Sequence, residues 1–256
     1  MTEPSPRVAL FVSCLVDLFR PSVGFAAVRL LEEAGCEVCV PEGLTCCGQP
    51  AYNSGDLSVA RSLARRTIEL LEPYEPIVLP SGSCAGMLRL HYPDLLADDP
   101  AWHERAKALA SRVHELSQFL HLELGLELPR ATYEGTVTYH DSCSSRTELG
   151  VFSEPRALLS QVRGLTLQEL PHPEQCCGFG GTFCVKFPEI SERLAADKVS
   201  AIASTGAETL LGGDLGCLMN IAGRLHREGR PVRVYHFAEV LAGLSDQPPI
   251  GEGKPK

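Results

Sequence analysis

A Cys-Cys-Gly triplet with a lone cysteine far to either side occurs twice, and no other feature constrains the chain as strongly. The first copy is Cys14, Cys46-Cys47-Gly48 and Cys84; the second is Cys143, Cys176-Cys177-Gly178 and Cys217. Between lone cysteine and triplet lie 31 residues in one copy and 32 in the other; between triplet and last cysteine lie 35 and 38. Eight of the eleven cysteines thus fall into two matched sets of four. The segments 112–120 (RVHELSQFL) and 233–241 (RVYHFAEVL) match outside the cysteines and support duplication independently. With 256 residues, the chain has room for two small domains, predicted at 1–130 and 131–256.

The local pattern places the cysteines. Residues 8–13 (VALFVS) are a short apolar run that reads as a buried parallel strand leading to Cys14. Pro21 opens a helix with Val23, Ala26, Ala27, Leu30, Leu31 and Ala34 on one face and Gly35 after it. Residues 36–40 read as a second strand before the triplet. Asp56 opens a helix carrying Ala60, Leu63, Ala64, Ile68 and Leu71. Residues 77–79 are a third strand, from which a turn hands over to a helix beginning at Cys84. Helical segments are predicted over 102–110 and 113–122, then a linker over 125–135.

The order then repeats: strand 136–139 before Cys143, helix 155–162, strand 165–170 before the triplet, and a helix from Pro188. That helix turns Ile190, Leu194, Ala195, Val199 and Ile202 inward, and a strand over 209–211 precedes a helix beginning at Cys217. Alternating strands and helices predict an α/β protein: two tandem pseudo-symmetric repeats, each a small parallel sheet flanked by helices. Every cysteine of the two sets then lies just past the carboxyl end of a strand, the edge where open α/β sheets bind ligands. The tail after Leu244, rich in Pro, Gly and Lys, is expected to be disordered.

Compartment decides what these cysteines can do. The first seven residues lack the charged and apolar regions of a signal peptide, and no apolar run reaches the ~18–20 residues of a membrane span. The expected location is the cytoplasm, where cysteine-rich chains bind metals or catalyse more often than they form disulfides. A formal charge of −9 argues against a nucleic-acid surface.

Four thiolates converging in each half make a soft-metal site, for an iron–sulfur cluster or zinc. Zinc sites usually pair cysteines two to four residues apart. Here the ligands scatter widely, and the adjacent pairs Cys46-Cys47 and Cys176-Cys177 suit different irons of one cluster better than two corners around a single ion. Gly48 and Gly178 let the backbone approach a bound group with positive φ, and amides at the starts of the helices bearing Cys84 and Cys217 favour thiolate.

Cys36, Cys39 and Cys184 have no counterpart in the other repeat and read as core residues. His140 beside Asp141 reads as a turn cap rather than a catalytic pair, and Tyr139 and Phe179 as packing. His91, His103, His114 and His121 show no ligand spacing.

The residues resemble a known family. The doubled triplet is similar to the Cys-rich CCG domain found in heterodisulfide reductase and in the iron–sulfur subunits of glycolate oxidase and anaerobic glycerol-3-phosphate dehydrogenase. The two-repeat, stand-alone form, the lactate utilisation protein A family, is the closer resemblance. It rests on Pro41-Glu42-Gly43, Thr45-Cys46-Cys47-Gly48-Gln49-Pro50-Ala51 and Pro80-Ser81-Gly82-Ser83-Cys84. In the second half it rests on Tyr139-His140-Asp141-Ser142-Cys143, Cys176-Cys177-Gly178-Phe179-Gly180-Gly181-Thr182-Phe183 and Gly216-Cys217-Leu218-Met219.

The resemblance implies a cytosolic iron–sulfur protein that works with a larger ferredoxin-like iron–sulfur subunit and a small third subunit to oxidise L-lactate to pyruvate. One departure bears on the chemistry. In the CCG-bearing chain of heterodisulfide reductase the last cysteine of each half has a partner three residues on; here Met87 and Asn220 stand there. Four thiolates suit a [4Fe–4S] cubane, whereas disulfide-cleaving chemistry on a five-thiolate cluster loses its ligand.

Three functions are therefore open to the chain: an electron-transfer subunit, a thiol–disulfide reductase and a zinc-stabilised scaffold. No Gly-x-Gly-x-x-Gly follows a first strand, so a flavin or nicotinamide is expected, if anywhere, on a partner.

Overall fold

The computed structural model describes residues 6–252, which form two compact units divided between Leu126 and Glu127. In the first, the chain runs through β1 (Arg7–Leu10), α1 (Cys14–Phe19), α2 (Pro21–Glu33), β2 (Glu37–Cys39), α3 (Gln49–Asn53) and α4 (Leu57–Leu71). It continues through β3 (Ile77–Leu79), α5 (Gly82–Gly86), α6 (Tyr92–Leu95), α7 (Pro100–Ala110), β4 (Val113–Glu115) and α8 (Leu116–Gln118). The second contains β5 (Thr132–His140), α9 (Ser153–Leu159), β6 (Arg163–Leu167), α10 (Phe183–Lys186) and α11 (Pro188–Ser204). It closes with β7 (Thr209–Gly212), α12 (Leu215–Arg227), β8 (Arg233–His236) and α13 (Phe237–Leu241).

Each unit is an α/β repeat built on a four-stranded parallel sheet, in the order β2-β1-β3-β4 or β6-β5-β7-β8. Because all strands are parallel, their carboxyl ends share one edge. Cys14, the first triplet and Cys84 follow β1, β2 and β3 onto that edge, and Cys143, the second triplet and Cys217 follow β5, β6 and β7. The central strands are apolar because both faces are covered: Ile77, Val78 and Leu79 of β3 are completely buried. Helix α2 packs Val23, Ala26, Ala27, Leu30 and Leu31 inward at helical spacing. Burying each such leucine contributes roughly 1.5–3 kcal/mol.

The structure adds a fourth strand to each sheet. Residues 113–115 form β4 against β3, not the start of a helix, and 233–236 form β8 against β7. Three or four residues are too few to display a period, so sheet pairing settles their conformation. Both strands run into short helices whose N-caps are side chains: Glu115 accepts from the amides of Ser117 and Gln118, and His236 from that of Ala238.

The expected linker is partly strand. β5 begins at Thr132, with a register shift between Thr132 and Gly135, and Tyr133 is buried with its hydroxyl 2.8 Å from Thr209 Oγ1. Strand β6 lies two residues earlier than the sequence suggests, and α9 spans Ser153–Leu159. On α11 the inward face carries Lys198 rather than Ile190, which is exposed.

The tail expected to be disordered is anchored at Ile250. Ile250 is buried, and its amide donates to the Val234 carbonyl at 2.8 Å. The rest of that expectation, residues 253–256, lies outside the described residues, as do residues 1–5 of the N-terminal segment. Among the described residues no helix is long and apolar enough to cross a membrane.

Candidate metal centres

In each unit the four cysteines converge as a chain of thiols. Cys46 is hydrogen-bonded to Cys14 and Cys47, and Cys47 to Cys84. The same linkage runs from Cys143 through Cys176 and Cys177 to Cys217. Thiols in such contact share protons unequally. Hydrogen bonds from Cys14 and Cys47, aided by the Gly48 amide, push Cys46 down to about 3. Those from Cys143 and Cys177, aided by the Gly178 amide, push Cys176 down to about 2. The donating thiols Cys14 and Cys143 are held well above the ordinary range, first by that same hydrogen bond and then by burial. In each set one thiol, Cys46 or Cys176, gives up its proton most readily, and all eleven cysteines are unpaired.

The triplet loops supply the close backbone approach. Gly48 has φ +87 and Gly178 φ +83, and their amides donate to Cys46 Sγ at 3.4 Å and Cys176 Sγ at 3.3 Å. The Phe179 amide adds a contact to Cys177 Sγ at 3.5 Å. Helices α5 and α12 begin two residues before Cys84 and Cys217, so these cysteines sit within the first turn rather than at its start. The Cys84 amide is taken up by Ser81 Oγ, and amides reach sulfur from the triplet loops and, at Cys14, from Leu15.

Each unit holds the carbonyl of its second triplet cysteine by a different side chain. Tyr92 donates to the Cys47 carbonyl at 2.8 Å, and Asn220 Nδ2 to that of Cys177 at 2.8 Å. The residue after each glycine also reaches the helix bearing the last cysteine. Gln49 Nε2 bonds the Ser83 carbonyl at 3.3 Å, whereas the Phe179 ring lies against Gly216, where an added Cβ would come within 2.3 Å of it. Phe179 thus packs as the sequence suggests, and Tyr139 is buried edge-on to Phe237.

The surroundings differ more. Three residues before Cys14 stands Phe11, and three before Cys143 stands His140; both are buried. Gly48 faces Ala60 and Leu63, and Gly178 faces Ser191 and Leu194, which sets Thr67 and Lys198 at matching helix positions. His140 does not cap a turn: it ends β5, and neither ring nitrogen has a hydrogen-bond partner. Burial, then the nearby Lys198, pushes it down to about 3. Lys198 is completely buried, with its ammonium 3.5 Å from the His172 carbonyl; burial lowers its proton affinity while Cys177 and Asp141 raise it. Asp141 is held by both guanidinium nitrogens of Arg156, at 2.9 and 2.8 Å.

The remaining cysteines are not all core. Cys36 is buried, but Cys39 is half-buried and bonded to Tyr74, and Cys184 is half-buried with Sγ 3.6 Å from the Gly181 carbonyl. His91, His103, His114 and His121 are half-buried in the first unit.

The Cysteine-rich domain family CCG matches residues 8–89 and 137–222, one match per unit. Lactate utilization protein A of Bacillus subtilis (strain 168) is 52% identical over 235 residues, covering 92% of this chain and 98% of that protein. The chain belongs to the lactate utilization protein A family. The Halalkalibacterium halodurans member is 49% identical over 92% of this chain and 96% of its own length. The Bacillus cytotoxicus member is 50% identical over 93% of this chain and all of its own length. A hypothetical protein from Helicobacter pylori, of known crystal structure, shares the fold with a TM-score of 0.65 at 12% identity. It is covered over 50% of its length by 98% of this chain.

For this family member, the sequence missed Tyr92 and Lys198 as neighbours of the thiols, and it singled out Asn220 only as a departure from the five-cysteine pattern. Lys198 did leave a signal, since a lysine between Ala195 and Ile202 interrupts the apolar face of α11. Tyr92 left none. It lies about two turns beyond the last cysteine, in a helix whose intervening residues, Met87–His91, are π-helical.

Proposed function

We propose that the chain is an iron–sulfur electron-transfer subunit of an L-lactate-oxidising system, acting in the cytoplasm with a ferredoxin-like iron–sulfur subunit and a small third subunit. The observation that carries this reading is the convergence of two four-thiol sets, one per unit, in a chain about half identical to proteins named for lactate utilization. Unpaired cysteines throughout the chain agree with a reducing compartment.

The residues fit a [4Fe–4S] cluster in each unit. Cys14, Cys46, Cys47 and Cys84 would hold one, and Cys143, Cys176, Cys177 and Cys217 the other. Such clusters supply one-electron transfer at potentials set by their surroundings. The chain's own contribution is to orient and shield. Gly48, Gly178 and Phe179 turn amides towards sulfur, Tyr92 and Asn220 fix the triplet loops, and buried Cys47, Cys84, Cys177 and Cys217 form the inner side. Cys143 is exposed and Cys14 half-buried, which leaves a short path for electrons to a docked partner.

The heterodisulfide-reductase-like alternative is weakened by the same geometry. Met87 is completely buried and Asn220 is engaged with the Cys177 carbonyl, so neither position supplies a fifth thiolate.

The test is metal and acid-labile sulfide analysis of anaerobically purified protein, with EPR after reduction. About eight irons and about eight sulfides per chain are expected for two four-iron clusters. Zinc at about two per chain without sulfide would refute the reading. For the substrate, a host lacking its own copy should regain growth on L-lactate with the wild-type chain and not with Cys46→Ser or Cys176→Ser.

A further inference from the structure

We propose that His140 is a ligand to the metal centre of the second unit, completing with Cys177 and Cys217 a buried three-donor set that the first unit lacks. The inference rests on the metal-binding reading of the cysteines given above. It goes beyond that reading by adding a nitrogen donor and by making the two centres chemically unequal.

Proximity is the first support. Among the described residues, His140, Cys177 and Cys217 are the one group of three donors whose ligand atoms all lie within 4.8 Å of one another, and all three residues are buried. Donors around a single tetrahedral metal stand roughly 3.8 Å apart when metal–sulfur distances are about 2.3 Å. Small side-chain movements would therefore place all three around the same metal centre. The thiol chains themselves are strung out pairwise, each sulfur touching the next.

The second support is an unmet need. Neither Nδ1 nor Nε2 of His140 has a hydrogen-bond partner, although the residue is 2% exposed. A buried polar group left unpaired is costly, and a metal ion meets that need. The matching residue in the first unit shows that packing does not require an imidazole: Phe11 fills the same place and is completely buried.

Strand geometry explains how the ring reaches the sulfurs. His140 is the last residue of β5, in register with Gly212 at the end of β7, and Cys217 follows Gly212 into α12. An added Cβ at Gly212 would come within 3.2 Å of the His140 carbonyl and 3.0 Å of Leu218, so the two strand ends approach closely here. The histidine and Cys217 thus leave neighbouring strands side by side. No electron is consumed in the ligation: a neutral imidazole lone pair takes the terminal metal position that the exposed Cys143 would otherwise fill, and that thiol keeps its proton.

The experiment uses the full chain, purified anaerobically with its native metal, from cells fed histidine labelled with nitrogen-15. HYSCORE spectra are taken on the paramagnetic oxidation state, alongside iron and sulfide content. The expected result is a nitrogen-15 coupling of a directly bound imidazole, present in wild type and lost in His140→Phe, which keeps the packing seen at Phe11. Iron and sulfide retained with no such coupling in wild type would overturn the proposal and leave the iron–sulfur reading standing. If the metal is zinc, the iron–sulfur reading fails, and ligation is then read by zinc-edge X-ray absorption. Imidazole scattering in wild type that disappears in His140→Phe supports the proposal, and sulfur-only scattering overturns it. Wild type without the coupling sinks the inference however the variant folds, and a coupling that survives in a metal-loaded His140→Phe also overturns it.

Discussion

Replacing each triplet glycine by alanine separates the effect of backbone conformation from that of space. Gly48 and Gly178 have nearly the same left-handed conformation, φ +87 and φ +83. An L-residue there costs roughly 1–2 kcal/mol, offset by about 0.4–1 kcal/mol from the stiffer unfolded chain. At Gly48 the new methyl meets Leu63 Cβ at 3.4 Å and the Ala60 carbonyl at 3.6 Å, both ordinary contacts. Gly48→Ala should therefore destabilise the first unit by about 1 kcal/mol.

At Gly178 the methyl would sit 2.6 Å from the Ser191 carbonyl oxygen and 3.2 Å from Leu194 Cβ. The obstacle is helix backbone, which cannot rotate away, so about 1–3 kcal/mol of overpacking is added. The same displacement would strain the 2.8 Å bond from Ser191 Oγ to the Gly178 carbonyl, worth about 1 kcal/mol. Gly178→Ala should thus cost about 3–4 kcal/mol, all of it in the second unit.

Hydrogen exchange read by mass spectrometry on the metal-free protein resolves the units separately. The expected outcome is a small loss of protection confined to residues 6–126 for Gly48→Ala and a much larger one in residues 127–252 for Gly178→Ala. Equal losses in the two variants would refute the argument, because they would mean that the triplet loop moves off α11 at no cost.

Three further outcomes follow from the second unit. Lys198→Met should lower the reduction potential of that unit's centre, because a buried positive charge favours the more negative, reduced state. For charges roughly 8 Å apart at an effective dielectric of about 20, the shift is on the order of 90 mV, and a redox titration followed by EPR shows either the drop or its absence. Arg156→Ala should destabilise the unit by about 3–5 kcal/mol, since Asp141 would remain buried without its partner. A double-mutant cycle with Asp141→Asn, followed by denaturant unfolding, should recover most of that loss. Gly216→Ala should drive the Phe179 ring off α12, because three of its ring atoms lie within 2.9 Å of the new Cβ. The expected sign is iron content falling by about half, with the loss assigned to the second centre by EPR; unchanged iron would show that the ring moves freely.

Much of the candidate site was legible because its signal is repetitive and local. The doubled triplet, the apolar runs at β1 and β3, and the periodic faces of α2 and α4 are enough to place eight cysteines at the carboxyl ends of parallel strands. What failed was the short and the unpatterned. β4 and β8 are too brief to show a period and exist by pairing with β3 and β7. His140 looked like part of a turn cap because adjacency to Asp141 suggested a shared role, yet Asp141 turns to Arg156 and the histidine to the interior.

The sequence by itself determined the duplication, the α/β alternation and which eight cysteines form the two sets. These depend on spacing along the chain, which one-dimensional information carries in full. Only the tertiary structure decided which groups stand beside those thiols: Tyr92 in one unit, His140, Lys198 and Asn220 in the other. It also decided that Ile250, in a tail of unpromising composition, is buried. The physical reason is the same in each case. Burial and hydrogen-bond partnership are set by residues far apart in the chain, and a polar side chain acquires its character from what surrounds it once the strands and helices have packed.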